Sequence, residues 1–324
     1  MNRLTDKKII LVTRPTRLAE LVHRFNTVSQ ARFYVEHQGA DFSDYLREDE
    51  TYHHALVEAE TVLNQLGRAQ VVDRAFLPNF VFAPEDTVVT LGQDGLVANT
   101  LKYLDGQPLV GINPDPSRWD GKLLPFKIAD LAKIVPEVLK GRRNAKFVSM
   151  AKATLNNGQH MYAVNDLFIG PKSHVSARYV IRSGATTETH SSSGVIVSTG
   201  MGSTGWFKSL LTGAAAVTQT ASNLLNRKAG KSSPAAERRV DVRTEFAWDA
   251  DYLFFTVREP FPTRTTGSSL VFGRITDESP LLLESQMAEH GVIFSDGIEN
   301  DFLEFNSGTH ASIGLAERKG VLVV

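Results

Sequence analysis

The sequence predicts an α/β domain with a parallel sheet, followed by a β-rich domain. Three observations carry this. Short apolar, β-branched runs alternate with helical patterns over the first half, as in a parallel sheet with crossover helices. From Asn144 onward, strand-like runs follow one another with few helical interruptions. Two glycine-rich turns, within residues 86–95 and 195–209, each sit between a strand and a helix. At 324 residues the chain can build two cores. The boundaries fall at 1–143 and 144–290, with a C-terminal segment, 291–324, expected to return to the first domain.

The elements follow in order. Residues 8–13 (KIILVT) read as a central strand. Pro15 and Thr16 precede a helical pattern carrying Leu18, Leu21, Val22, Phe25 and Val28. Phe42, Tyr45, Asp49, Tyr52, Leu56, Ala59, Leu63 and Leu66 recur at alternating steps of three and four. They describe one long helix with a single apolar seam, packed on its own domain or on a second subunit, and a homo-oligomer, a dimer first, is expected. Gly67 reads as its C-cap. Residues 70–73, 87–91 and 108–112 supply further strands, and LVANTLKYL after Gly95 a helix. In the second half, 146–153, 160–169, 176–183, 194–199 and 252–258 are strand-like, with turns at Asn157, Gly158 and Gly184. One helix runs from Ser203 to about Asn226. Residues 227–239 (RKAGKSSPAAERR) read as a surface loop, and 291–324 is again strand-like.

Composition excludes several classes of function. A formal net charge of −1 gives no electrostatic reason to expect nucleic acid or an anionic membrane as partner. The absence of cysteine rules out disulfides, thiolate nucleophiles and cysteine zinc sites. No apolar run approaches membrane-spanning length and the N-terminus has no signal-like h-region, so a cytoplasmic location is the default expectation.

Chemistry concentrates in the two turns. In VIVSTGMGSTGWFKS, Gly200, Gly202 and Gly205 interleave with Ser198, Thr199, Ser203 and Thr204 ahead of a helix. Glycines admit close backbone approach, hydroxyls supply short donors, and a helix N-terminus favours an anion; an ordinary capped turn is the plainer reading. The Gly-x-Gly-x-x-Gly match at 200–205 is coincidental for a dinucleotide fingerprint, because 221–231 offers neither an acid nor a strand. Neither turn is a Walker A loop, and Gly-x-Ser-x-Gly is absent. In DTVVTLGQDG, Asp94 places a carboxylate at the second turn, where Asp-Gly can also be no more than a tight turn. Asp49 with His53 and Glu50 with His54 stand at i, i+4, but no further ligand lies at diagnostic spacing, so no metal is expected there. His174 and His190 lack an identifiable acid partner and read as surface residues.

Gly92-Gln93-Asp94-Gly95, Gly111-Ile112-Asn113, Asn165-Asp166 and the run Val197 to Thr204 together resemble the NAD kinase family in order and spacing. The stretches 113–118, 165–170, 192–194 and 258–260 are similar to its mitochondrial-type branch, and the likeness extends over nearly the whole chain. The resemblance implies that family's two-domain fold with the site in the interdomain cleft. It implies phosphoryl transfer from ATP, accompanied by Mg²⁺, to the adenosine 2′-hydroxyl of NAD(H). Asp94 would be the general base. Asn165, Asp166, Thr204, Gly205, Trp206 and Ser209 would hold NAD, with Trp206 suited to stack on a base. Gly92, Gly95, Asn113, Thr199, Gly202 and Ser203 would form the phosphate-facing loops. Two departures fall on the ATP side. Gln93 carries a Cβ that a left-handed backbone would penalise, and Leu96 replaces a hydroxyl. They favour, as an alternative, a dinucleotide-binding sensor with weakened transfer; a lipid or other small-hydroxyl kinase is the third reading.

Overall fold

A computed structural model describes residues 3–228 and 243–324. The chain divides into two units, Met1–Phe147 with Gly320–Val324, and Val148–Lys319. In the first, the elements are β1 (Lys8–Thr13), α1 (Arg17–Phe25), α2 (Val28–His37), α3 (Phe42–Leu66), β2 (Arg68–Asp73), β3 (Thr87–Leu91), α4 (Asp94–Leu101), β4 (Pro108–Asn113), β5 (Phe126–Lys127) and α5 (Leu131–Leu139). The strands β4, β3, β1 and β2 lie in that order and pair in parallel, Ile9 opposite Thr87 and Val88 opposite Leu109. Val321 and Leu322 add a further parallel stretch beside Pro108 and Leu109. Every residue of β3 is buried, which explains why β-branched residues fill it without alternation.

The seam of α3 is used inside this unit. Tyr52, Ala55, Ala59 and Leu63 are buried against Ile9, Leu11, Val89 and Leu91 of the sheet and Leu131, Ile134 and Val135 of α5. Each fully buried aliphatic side chain contributes about 1.5–3 kcal/mol relative to exposure. The seam therefore gives no reason to expect a second subunit. The pattern expected as one helix over 18–28 is two: Asn26 ends α1 at φ 67, and the Thr27 hydroxyl caps α2 by accepting the Gln30 N–H. Gly67 follows α3 in extended, not left-handed, conformation. Packing leaves little room for a side chain there, since a Cβ would stand 2.8 Å from Ile9 Cδ1 and 3.1 Å from the Lys7 carbonyl oxygen.

The second unit holds β6 (Ala145–Leu155, begun in the first unit), β7 (His160–Ala163), β8 (Asp166–Pro171), β9 (Ala177–Ser183), β10 (Thr186–Ser192), β11 (Val195–Ser198), α6 (Trp206–Lys228), β12 (Leu253–Val257), β13 (Phe272–Ile275), β14 (Leu281–Ser285), β15 (Gly291–Ser295), β16 (Ile298–Glu304) and β17 (His310–Val323, ended in the first unit). One antiparallel sheet runs β13-β12-β11-β8-β15-β16. A second antiparallel run orders β10, β9, β14 and β17. Leu167, Ile169, Val195, Val197 and Phe255 from the one meet Tyr179, Ile181, Leu281, Leu283 and Ile313 from the other in one buried cluster.

Two expectations change here, and one strand is added. Of 291–324, only Gly320–Val324 belongs to the first unit; β15 pairs with β8 and the start of β17 with β14, which keeps 291–319 in the second. The run 160–169 is two strands, because the Asp296 carboxylate takes the Val164 and Asn165 N–H groups that a ladder would need. Residues 186–192 form a strand, returned on β9 by a turn in which Gly184 has φ +56. The loop read at 227–239 lies, beyond Lys228, outside the described residues. Among the described residues no helix is long and apolar enough to cross a membrane.

Candidate functional site

In the first unit, β3 ends at Leu91, and Gly92 and Gln93 lead into α4, whose first residue is Asp94. A carboxylate at a helix N-terminus faces free N–H groups and a favourable dipole. Asp94 Oδ1 accepts the Leu123 N–H at 2.8 Å, and Oδ2 accepts no hydrogen bond from the described residues. The Leu123 peptide is itself seated by Gly111, where a Cβ would lie 2.2 Å from the Leu123 carbonyl oxygen. Asn113 is buried: its Nδ2 donates to the Trp119 carbonyl at 2.9 Å and its Oδ1 accepts the Asp115 N–H at 3.0 Å. Its side chain thus shapes the 115–119 loop. Gln93, Asp94, Gly95, Arg118, Trp119 and Gly121 are among the walls of a hollow of about 360 Å³.

Both departures at this turn have structural answers. Gln93 has φ −131, so its Cβ costs nothing, against the expectation of a left-handed backbone. Leu96 is 4% exposed and lies against Gly92, where a Cβ would meet Leu96 Cδ2 at 2.8 Å. Residue 96 is a core position of this unit.

A chain of alternating charges borders the hollow. Arg118 grips Asp44 with both terminal nitrogens, at 2.6 and 3.1 Å. Asp44 also accepts from Arg17 at 2.7 Å; Arg17 continues to Glu48, and Glu48 to Arg14 at 3.1 Å. Hydrogen bonds from Arg118 and Arg17 hold the Asp44 carboxyl well below the usual carboxylate range. The Arg14 N–H donates to the Tyr52 hydroxyl, which donates to the Leu91 carbonyl just before the turn, each at 3.0 Å. Neither Arg118 nor Asp44 is singled out by residue type. The signal for Arg118 lay in its loop, Asn113-Pro114-Asp115-Pro116-Ser117-Arg118, next to a predicted phosphate-facing residue.

In the second unit two turns cross. Thr199 is fully buried: its hydroxyl donates to the Val164 carbonyl and accepts the Gly202 N–H, while its own N–H donates to the Asn165 carbonyl at 3.0 Å. The buried Ser203 hydroxyl donates to the Gly200 carbonyl at 2.7 Å. A Cβ on Gly202 would lie 2.0 Å from the Asn165 carbonyl oxygen, and one on Gly200 1.9 Å from that of Ala247. In this structure Thr199, Gly200, Gly202 and Ser203 build the crossing itself; no hydroxyl of Thr199 or Ser203 faces outward. Asp296, at φ 54, accepts the Val164, Asn165 and Asp166 N–H groups. Burial, and then the Asp296 charge, push the Asp166 carboxyl up to about 7.

Past the crossing several residues reach the surface, while Phe207 turns into the core. Thr204, Gly205 and Ser209 are exposed, and the Ser209 hydroxyl reaches back to the Gly205 carbonyl at 3.3 Å. Trp206 is half-buried, lies parallel to Phe168 with centroids 5.9 Å apart, and has the Arg258 guanidinium 5.3 Å from its ring. Trp206, Phe168, Lys172, His174, Ser193 and Arg258 contribute to a cavity of about 400 Å³ within this unit. The expectation for His190 is overturned: it is fully buried, with Nε2 2.6 Å from Glu188. Its acid partner stands two residues away, on the same strand face. Among the described residues no group of three or more histidines and carboxylates could hold a metal, Asp49 and His53 included.

Compared by sequence, the chain matches no protein-family model and no curated protein. Compared by structure, it is similar to yeast NADH kinase complexed with NADH, at 14% identity and a TM-score of 0.56, over 99% of this chain and 84% of that one. It is also similar to an NAD kinase from Archaeoglobus fulgidus in complex with ATP, at 14% identity and a TM-score of 0.52, over 98% of this chain and 93% of the other. The fold is thus the two-domain NAD kinase-like fold.

Proposed function

We propose that this protein transfers the γ-phosphoryl group of ATP to the adenosine 2′-hydroxyl of NAD(H). The observation that carries the reading is Asp94: one carboxylate oxygen is fixed by the Leu123 N–H, and the other, on the wall of a hollow, accepts no hydrogen bond among the described residues. A base aligned in this way accepts the hydroxyl proton as the ribose oxygen bonds to phosphorus. The bond from the γ-phosphorus to the bridging oxygen breaks, and ADP leaves. Such transfer asks the protein mainly for positioning and charge neutralisation. Gly95, with open space where a Cβ would stand, keeps the turn bare for the reacting groups, and Gly92 makes room for the buried Leu96 beneath it. Asn165, Asp166, Thr204, Gly205, Trp206 and Ser209 hold the dinucleotide, Trp206 by stacking. Mg²⁺ enters as the counter-ion of the donor's phosphates. The likeness in fold to an NADH kinase and an NAD kinase supports the reading.

The sensor alternative drew on Gln93 and Leu96. An unstrained Gln93 and a core-packed Leu96 leave it without a specific argument. The test is NADP(H) formation from NAD⁺ or NADH with ATP and Mg²⁺, in the wild type and in Asp94→Asn. The amide keeps the acceptor for the Leu123 N–H, so the variant should melt like the wild type while turnover falls ~10²–10⁴-fold. Equal turnover in the two proteins removes Asp94 from the reaction.

A further inference from the structure

Among the residues that wall the hollow beside Asp94, Arg118 is the cation. Its side chain is 22% exposed, so it reaches solvent from a fixed seat. Of the five N–H donors of a guanidinium, two go to Asp44. Nε is buried, makes no hydrogen bond among the described residues, and stands 3.7 Å from Asp115. Asp44 holds the planar group in one orientation without cancelling the local charge. The ion-paired cluster sets Arg14, Arg17, Arg47 and Arg118 against Asp44, Glu48 and Asp115, an excess of one positive charge.

We propose that Arg118 binds the phosphate chain of the phosphoryl donor next to Asp94, with Asp44 as the residue that positions it. The inference rests on the reading of Asp94 as the base. A transferred phosphoryl group brings negative charge to a wall that already carries the carboxylates of Asp94 and Asp120. Without a cation there, like-charge repulsion would oppose donor binding. Arginine suits the task because its flat fork meets phosphate oxygens pairwise and stays charged. Leu96 places no hydroxyl in the hollow, and the main-chain N–H groups at the start of α4 are neutral donors. Arg118 supplies the charge from the same hollow.

The probe is inorganic tripolyphosphate, titrated by calorimetry into the wild type, Arg118→Gln, Arg118→Lys and Asp44→Asn; ATP and NAD⁺ kinetics follow on the same proteins. Loss of a charge-assisted contact should weaken tripolyphosphate binding about 10- to 100-fold in Arg118→Gln. KM for ATP should rise by a similar factor while KM for NAD⁺ stays within about twofold. Arg118→Lys, which keeps the charge and loses the fork, should fall between. Asp44→Asn should raise KM for ATP less than Arg118→Gln does. Should Arg118→Gln be too unstable to assay, the Lys variant decides: tripolyphosphate affinity and ATP KM equal to wild type overturn the proposal. It is equally overturned if Arg118→Gln binds tripolyphosphate as wild type does, or if the wild type binds none. A wild type that binds tripolyphosphate through Arg118 yet makes no NADP supports the phosphate site and sinks the dinucleotide reaction. A wild type that makes NADP with an ATP KM indifferent to Arg118 does the reverse.

Discussion

The turn after β3 and the turn after β11 share a plan: an apolar strand, a run of glycines and small polar residues, then a helix. After β3, the plan leaves a charged side chain at the surface of a hollow. Asp94 has one oxygen tied and one open, and Gly95 has nothing within 4 Å of a would-be Cβ. After β11, the same ingredients turn inward. Thr199 and Ser203 spend their hydroxyls on neighbouring carbonyls, and Gly200 and Gly202 exist so that backbones can pass. Glycines and hydroxyls make close approach possible, and sequence does not say whether a ligand or the protein's own chain makes it. The two cases are separable by what lies within 2–3 Å of each missing Cβ.

Substitutions at the glycines put that contrast to the test. The largest effect is expected for Gly202→Ala, whose methyl group would collide with the Asn165 carbonyl, a backbone group with no rotamer to escape into. Overpacking costs of ~1–3 kcal/mol and more set the scale, and the rigid partner puts this site at the upper end. Chemical denaturation measures it, and a loss under ~1 kcal/mol would mean that the two turns do not press on each other.

Asp166 gives an intermediate effect with a pH signature. Its folded pKa, about 7, lies above the unfolded carboxylate value of 3.8. The folded state thus holds a proton that the unfolded state releases first. The contribution from this group is fully present below pH ~4 and is lost as pH rises toward and through 7. Asp166→Asn should remove that slope, leaving the variant ~2–4 kcal/mol more stable relative to wild type at pH 8 than at pH 4. Denaturation at the two pH values reads the difference, and parallel profiles for the two proteins would place Asp166 in water. The smallest effect belongs to Gly95→Ala. An open, exposed position in the first turn of α4 should gain up to ~1 kcal/mol from the better helix former, or change nothing. A loss comparable to that of Gly202→Ala would erase the distinction between the turns.

What the sequence made legible follows the range of the forces involved. The seam of α3 was readable because 25 residues of one period leave little ambiguity. Strands β3 and β4 were readable because full burial selects apolar runs. The break between β7 and β8 was hidden, since its cause, Asp296, lies 130 residues away from Asp166 in sequence. Helix α5, with Pro136 inside it, passed unread because a nine-residue amphipathic stretch carrying a proline is a weak local signal. His190 was misjudged although its partner was close. In a strand, i and i+2 share a face, so Glu188 stands beside His190 once β10 forms. At the candidate site the motif residues were all visible. Arg118 and Asp44 meet across 74 positions, and nothing local couples them.

The crossing in the second unit has a consequence for affinity. Asn165 and Asp166 on one turn and Thr204 and Gly205 beyond the other are tied through Thr199, Gly202 and Asp296 into one hydrogen-bonded knot. Neither turn can shift without breaking bonds in the other. A ligand that touches both meets a surface already ordered when it arrives, and little conformational entropy is lost on binding. If the proposed dinucleotide site lies there, its selectivity comes from fit to a fixed template, and an ill-shaped ligand gains nothing from the protein bending to meet it.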